Sequence, residues 1–382
     1  MDQRISVDWL ANAHALAPRI ATAAARIEAG RELPPDIVDA LHEARLFRML
    51  VPRSLNGEEV SPVVFTQVVE ELAKADASTA WCVAQTSVCS TIARCLKPEI
   101  AAEIFKNDPR GVLAWGPSTS KNAKAIAEPG GFRVTGEWPF ASGSRHATWL
   151  AAHSFVSEAD GSLRHDASGE PVQKTFVVPR RSAVIKDVWH VIGLKGTGSD
   201  TYALTDVFVP EDQLIGPEHE GWRVANSTLS HERGTNPRQL VIHMQLLEEL
   251  LRLAQENGAF EDRWLRAALA QAYVEIRLFQ LHNLRSVSRL SRGLDPGPEG
   301  SALKLYWSEM SKRFHDTAMA VLGDASPLWK GADENPGDGQ WQRSWLYYQA
   351  SSIWAGTNEI QRNVIGERVL GLPRSAPPKT PS

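Results

Sequence analysis

Cysteine is scarce in this chain, with three in 382 residues. Cys82, Cys89 and Cys95 are an odd set, spaced seven and six apart, which suits neither a disulfide framework nor a tetrahedral zinc site. They read as buried, unreactive thiols on a helix, and no bound metal is expected. An excess of one charge is missing as well: 41 basic against 45 acidic residues leave a formal charge of −4. That balance gives no electrostatic hold on nucleic acid or an anionic membrane. No apolar run approaches the roughly 20 residues of a membrane-spanning helix. The N-terminus, MDQRISVDWLANAHALAPRI, lacks the basic-then-apolar build of a secretory signal. A soluble, cytoplasmic protein is the expectation.

The length allows two or three domains, and the pattern changes twice along it. LPPDIVDALHEARLF places Ile37, Leu41 and Leu46 on one helix face after a Pro-Pro start. SPVVFTQVVEELAKADAS does the same with Phe65, Val68, Val69 and Leu72. Near Gly111 the character turns: GGFRVTGEWPFASG alternates around a glycine, and KTFVVP and YALTDVFVP are short β-rich runs ended by proline. From about Gly221 helical periodicity returns over Ser227 to Gln255, Glu261 to Arg292, Gly300 to Leu322 and Trp341 to Leu372. RGLDPGPEG and DENPGDGQ interrupt it. Helices, then strands, then long helices predict an α+β, mainly α chain with segregated domains. The expected bounds are an N-terminal helical domain over 1–110, a β-barrel-like domain over 111–213, an antiparallel helix bundle over 214–372 and a flexible tail over 373–382.

SSIWAGTNEIQRNVIGERVLGLPR, near the end, turns at Ala355-Gly356-Thr357 and then carries an apolar stripe through Ile360, Val364, Ile365 and Val369. Thr357 is either an ordinary helix cap or part of a helix start whose free N–H groups and dipole hold an anion. Gly193, Gly196 and Gly198 in GLKGTGSD lack the long helix and Lys-Ser/Thr of a phosphate loop, so they read as turn glycines. His146 and His190 read as structural hydrogen-bonders.

The block order, with DVFVPEDQLIGPEHEGWRVA closing the strands and GTNEIQRNVIGERVLGLPR closing the helices, resembles the acyl-CoA dehydrogenase superfamily from about Leu33 to Arg374. The resemblance implies a flavin, usually FAD, between β-domain and bundle, in a homo-oligomer that is a tetramer or dimer. It implies cofactor contacts at Gly356, Thr357 and Glu359. Many members carry a catalytic Glu just before the Gly-Thr, where this chain has Ala355. Others place that Glu in a segment like TLSHERGT, which makes Glu232 the implied base and Arg233 an implied substrate contact. A carboxylate whose pKa is raised by an apolar site can take the weakly acidic proton beside a thioester carbonyl.

The strand block departs from typical dehydrogenases. AWGPSTSKNAKAIAEPGGF keeps Ser118, Thr119 and Ser120 but loses the family's Glu-Pro and Gly-Ser-Asp. GEWPFASGSRHATW and WHVIGLKGTGSDTYALTDVFVP resemble the flavin monooxygenases of the same fold, which take reduced flavin from a partner reductase and react it with oxygen. FMN is then an alternative to FAD. In both branches Trp115, Ser118, Trp138 and Ser142 are implied flavin contacts, Trp138 as a flat apolar wall and Ser142 as a hydrogen-bonder near N5 or O4. The first expectation is α,β-dehydrogenation of an acyl-CoA, with FAD accepting hydride and an electron-transfer protein as partner. A two-component monooxygenase served by a flavin reductase and a catalytically silent flavoprotein subunit stay open.

Overall fold

The computed structural model describes residues 8–116, 123–167, 169–216, 237–292, 294 and 299–373. The chain divides into two compact units, Met1–Glu232 and Arg233–Ser382. Helices and sheet of the first 232 residues thus fall in one unit.

That unit opens with α1 (Trp9–Gly30) and α2 (Pro35–Glu43), followed by α3 (Pro62–Ala75) and α4 (Ala77–Ser90). Each start has a local cause. Asp8, Ser61 and Asp76 accept hydrogen bonds from backbone N–H groups three residues on, satisfying donors the first turn leaves bare. Proline stands first in α2 and α3, where its missing N–H costs nothing. α1 buries Ile20 and Ile27, each worth roughly 1.5–3 kcal/mol. α4 packs against α3 on one side and, on another, against the sheet and the turn at Lys195–Thr197. Its small residues, among them Ala80, Cys82, Thr86 and Ser87, permit that close approach. Ile37, Leu41, Leu46, Val68, Val69 and Leu72 are buried, with Phe65 half-buried.

The cysteine expectation needs one correction. Cys82 and Cys89 are buried, but Cys95 is exposed. α4 ends at Ser90 and a tighter 3-10 turn follows, which breaks the helical spacing and turns Cys95 outward.

The strands are β1 (Leu113–Trp115), β2 (Lys124–Glu128), β3 (Gly131–Ala141), β4 (Trp149–Ser157), β5 (Gln173–Pro179), β6 (Val184–Lys186) and β7 (Asp200–Pro210). They form one open mixed sheet. β4 is central: β5 runs antiparallel on one edge, while β1 and β2 lie parallel along the other, at its two ends. β2, β3, β7 and β6 continue as antiparallel neighbours. β4 is buried on both faces, so WLAAHSFVS shows no alternation, the signature of a covered strand.

The second unit is helical: α6 (Pro237–Glu256), α7 (Arg263–Ser291), α8 (Glu299–Leu322), α9 (Gln340–Gln349) and α10 (Asn358–Val364); α5 is the short Pro98–Ala101 helix of the first unit. One apolar core joins Leu247 and Leu250 of α6, Ile276 and Phe279 of α7, Trp307, Met310 and Phe314 of α8, and Trp341 and Tyr348 of α9. The helix expected from Trp341 to Leu372 is broken. Ala355 and Gly356 take φ of 51° and 90°, which no α-helix contains.

Candidate functional site

β3 points Phe132, Val134 and Trp138 inward. Trp138 stacks on Tyr202 of β7, centroids 5.3 Å apart and planes 17° from parallel. Its indole N–H donates to the His153 carbonyl at 2.8 Å. Trp138 is fully buried and offers no open face. The flat wall expected there is therefore a core aromatic, and this corrects the sequence expectation.

The next residue explains what the strand does present. Pro139 has no N–H to give the ladder. Trp138 pairs with Tyr202 and Ala141 with Asp200, so one extra residue is inserted, a β-bulge. Phe140 takes φ of 61° and is 62% exposed. Its ring meets Trp189 edge-on at 6.4 Å. Left-handed backbone at an aromatic residue costs on the order of 1–3 kcal/mol and concentrates at functional positions. Beside the bulge runs Gly116, after Trp115 on β1. A Cβ there would stand 2.5 Å from the Pro139 carbonyl oxygen, so only glycine lets the two segments meet. Trp115 is buried, and its indole nitrogen has no acceptor among the described residues.

Ser142 follows the bulge, half-buried, at the end of a line of hydroxyls. The Trp81 indole of α4 donates to Ser142 Oγ at 2.9 Å. Ser142 Oγ lies 2.7 Å from Ser199 Oγ, which lies 2.7 Å from Thr197 Oγ1. Thr197 donates to the Leu194 carbonyl at 2.9 Å. The loop bearing Trp189 is fixed by charge. Buried Asp200 accepts the Val188 and Trp189 N–H groups, both at 3.0 Å, and pairs with Arg145 at 2.6 Å. Arg145 also reaches Asp187 at 2.8 Å, and Asp187 pairs with Arg31 at 2.6 Å. The hydrogen bond from Arg31 holds the Asp187 carboxyl below its ordinary range. Gly196 passes against Ile27 with no room for a Cβ, and Gly198 has φ of 50°. Gly196 and Gly198 thus sit at a close pass and a turn. The His146 ring is kept neutral by burial, its pKa pushed down to about 3.

In the second unit, Thr357 caps α10, its Oγ1 accepting from Ile360 N at 3.3 Å. Exposed Glu359 is held below the usual carboxylate range by its own backbone N–H and then by the Thr357 hydroxyl. Asn358 points inward: its Oδ1 accepts from Lys304 and from Ser308, each at 2.8 Å, and its Nδ2 donates to Glu309 at 2.7 Å. Buried Gln361 donates to the carbonyls of Ala355 and Gly356 at 3.0 and 3.2 Å. The structure therefore gathers Trp115, Trp138 and Ser142 around one sheet end in the first unit, and Gly356, Thr357 and Glu359 around one turn in the second. Ser118, Glu232 and Arg233 lie outside the described residues. Phe140, Trp81, Thr197 and Ser199 escaped the sequence reading. The available signals were the proline inside an alternating strand and the clustered hydroxyls of GTGSD.

The profile of the acyl-CoA dehydrogenase N-terminal domain matches residues 11–106, and that of the C-terminal domain matches residues 219–370. Acyl-CoA dehydrogenase IpdE1 of Mycobacterium tuberculosis is 32% identical over 172 residues, covering 45% of this chain and 43% of that protein. The flavin-dependent monooxygenase oxygenase subunit HsaA of the same species is 32% identical over 216 residues, covering 56% and 52%. The chain thus spans about half the length of the curated relatives it matches. The solved structure of XiaF from Streptomyces sp. in complex with FADH2 and glycerol superposes with a TM-score of 0.72 at 22% identity, covering 97% of this chain and 96% of that one. That likeness is one of fold.

Proposed function

Because the chain belongs to the acyl-CoA dehydrogenase superfamily, we propose that it is a flavin-dependent oxidoreductase working as the oxygenase component of a two-component system. One observation carries the choice over dehydrogenation. At the turn where many family members have a catalytic carboxylate stands Ala355, with φ of 51°. Among the described residues, Glu309 holds Asn358 and Arg362, and Glu359 is exposed. An alanine cannot take the proton that dehydrogenation removes, so that route depends on Glu232, outside the described residues, whereas hydroxylation needs no base at this turn.

The residues of the sheet end fit a flavin. At the sheet end stand an exposed aromatic, Phe140, a half-buried hydroxyl, Ser142, and the buried Trp115 indole nitrogen, which has no acceptor among the described residues. We assign Ser142 to the polar edge of the ring and Phe140 and Trp189 to its apolar surroundings; Gly356, Thr357 and Glu359 are proposed cofactor contacts of the second unit taken by itself. FAD is the proposed form and FMN the alternative. When bound in reduced form, the flavin supplies two electrons for the reaction with dioxygen. Overall, one oxygen atom enters a substrate C–H bond and the other leaves as water. Around it Asp200 holds the Trp189 loop, and the hydroxyl line fixes Ser142. A flavin reductase is the proposed redox partner and a second copy of this chain the proposed assembly partner.

The relative IpdE1 and the TLSHERGT segment favour a second reading, acyl-CoA dehydrogenation with Glu232 as base and Arg233 on the substrate. Two measurements separate them. Anaerobic acyl-CoA is expected to leave the yellow flavin unbleached, and reduced flavin is expected to drive substrate-dependent oxygen uptake. Bleaching that Glu232→Gln abolishes would overturn the oxygenase reading.

A further inference from the structure

Trp189 is held at three points. Its backbone N–H donates to Asp200 at 3.0 Å, its carbonyl accepts from Arg31 Nη1 at 3.4 Å, and its indole N–H donates to the Leu194 carbonyl at 3.0 Å. Arg31 and Asp200 are themselves joined. Asp200 pairs with Arg145 at 2.6 Å, Arg145 with Asp187 at 2.8 Å, and Asp187 with Arg31 at 2.6 Å. The contacts therefore close on Trp189 as a circuit whose charges alternate in sign. It draws on four separate segments: the turn after α1, the turn after β3, the loop after β6 and the first residue of β7. Two branches leave it. Arg145 reaches Glu32 at 3.4 Å, and Arg31 Nη1 lies 3.1 Å from the His190 ring.

An isolated exposed ion pair contributes little, because two long side chains must be held in one geometry. Here one member, Asp200, is fully buried, where a carboxylate left without its partner is costly. That burial fixes Arg145, and each further charge is held from two sides. We propose that Arg31, Arg145 and Asp187 are positioning residues: with Asp200 they hold the Trp189 indole edge-on to Phe140 as a preset wall for a flat conjugated ligand. The inference rests on the reading that Trp189 borders the flavin. A wall ordered before binding spares the complex the entropy of fixing the loop. An indole suits the task, being large and rigid with little rotamer freedom to lose.

The test has one readout without flavin and one with it. Hydrogen–deuterium exchange of the full chain, read by mass spectrometry, follows segment 187–194, whose Val188 and Trp189 amides bond to Asp200. Asp187→Asn removes the charge between the two guanidiniums, and Arg31→Met opens the circuit at the Trp189 carbonyl. Each is expected to raise exchange of that segment about tenfold, and the double variant no further, since an opened circuit has no second closure to lose. Asp187→Glu keeps the charge and should keep the parent exchange. Lys195→Met removes an ion pair to Glu28 outside the circuit and should leave exchange alone. With oxidised FAD bound, an indole beside the flavin quenches its fluorescence by electron transfer. Trp189→Phe is expected to brighten the bound FAD, and Asp187→Asn and Arg31→Met to brighten it part of the way. Circular dichroism checks folding, and Asp187→Asn, at an exposed position, carries the test if Arg31→Met misfolds. Parent exchange in both single variants, or a double variant well beyond either, overturns the inference while the flavin reading stands. Bound FAD equally bright in the parent and in Trp189→Phe overturns it as well. Failure of FAD to bind in either redox state overturns the flavin reading itself, and the inference with it.

Discussion

Phe140 is a large apolar residue held outward on left-handed backbone, and its stability signature is distinctive. At an ordinary strand position alanine is more stable than glycine by roughly 0.5–1 kcal/mol. Where φ is positive the order inverts, because alanine keeps the clash between Cβ and the following carbonyl. Phe140→Gly is therefore expected to be about 1 kcal/mol more stable than Phe140→Ala in urea unfolding. Equal stability, or the reverse order, would show that the bulge is absent in solution. Alternation along GEWPFASG places Trp138 and Phe140 on the same face, so which aromatic is presented was not legible locally. The bulge opposite Tyr202 and Asp200 separates them.

The closing helix shows how an element is held. α10 is only Asn358–Val364, seven residues, too short to be stable by itself. Its anchor is the Asn358 amide, buried between Lys304, Ser308 and Glu309 of α8. Removing it leaves buried polar groups short of a partner, which costs about 1–3 kcal/mol. Asn358→Ala is expected to destabilise the chain by about 2 kcal/mol in guanidinium unfolding of the full protein, and a loss below about 0.5 kcal/mol would contradict the anchor role. The motif was legible as a helix start at Thr357, read either as a cap or as an anion-holding end, and the cap hydrogen bond is present. Its asparagine was not legible as a core residue, because polarity in sequence does not reveal burial. The turn at Ala355-Gly356-Thr357 was legible from its glycine, and both Ala355 and Gly356 take positive φ.

Across the whole molecule, buried histidines set the response to acid. His243 meets His315 edge-on in the bundle interior, where His315 stacks on Tyr348, and burial pushes their pKa values down to about 3 and about 4. Burial also lowers His42 to about 4 and His146 to about 3 in the first unit. An unfolded histidine takes its proton near pH 6.5, while these folded ones refuse it. The unfolded state therefore binds more protons below that pH, and stability must fall as pH drops from about 6.5 towards about 4. Each histidine contributes up to about 1.4 kcal/mol per pH unit in that window. Urea midpoints are expected to decline through it, and His315→Asn, which removes the titrating ring, should flatten the decline. A parent midpoint constant across the window would contradict neutral burial.

By itself the sequence determined the order of helical, strand and helical blocks, the family, and the capped start of the last helix. Those rest on hydrophobic period, proline and glycine punctuation and contiguous motifs, which are properties of neighbouring residues. Tertiary structure alone decided that Trp138 is core and Phe140 outward, that Asn358 is an anchor, and that Trp81, Ser142 and Ser199 form one line across separations of 61 and 57 residues. Strand register and helix docking bring such residues together, and register is fixed by pairing between distant segments.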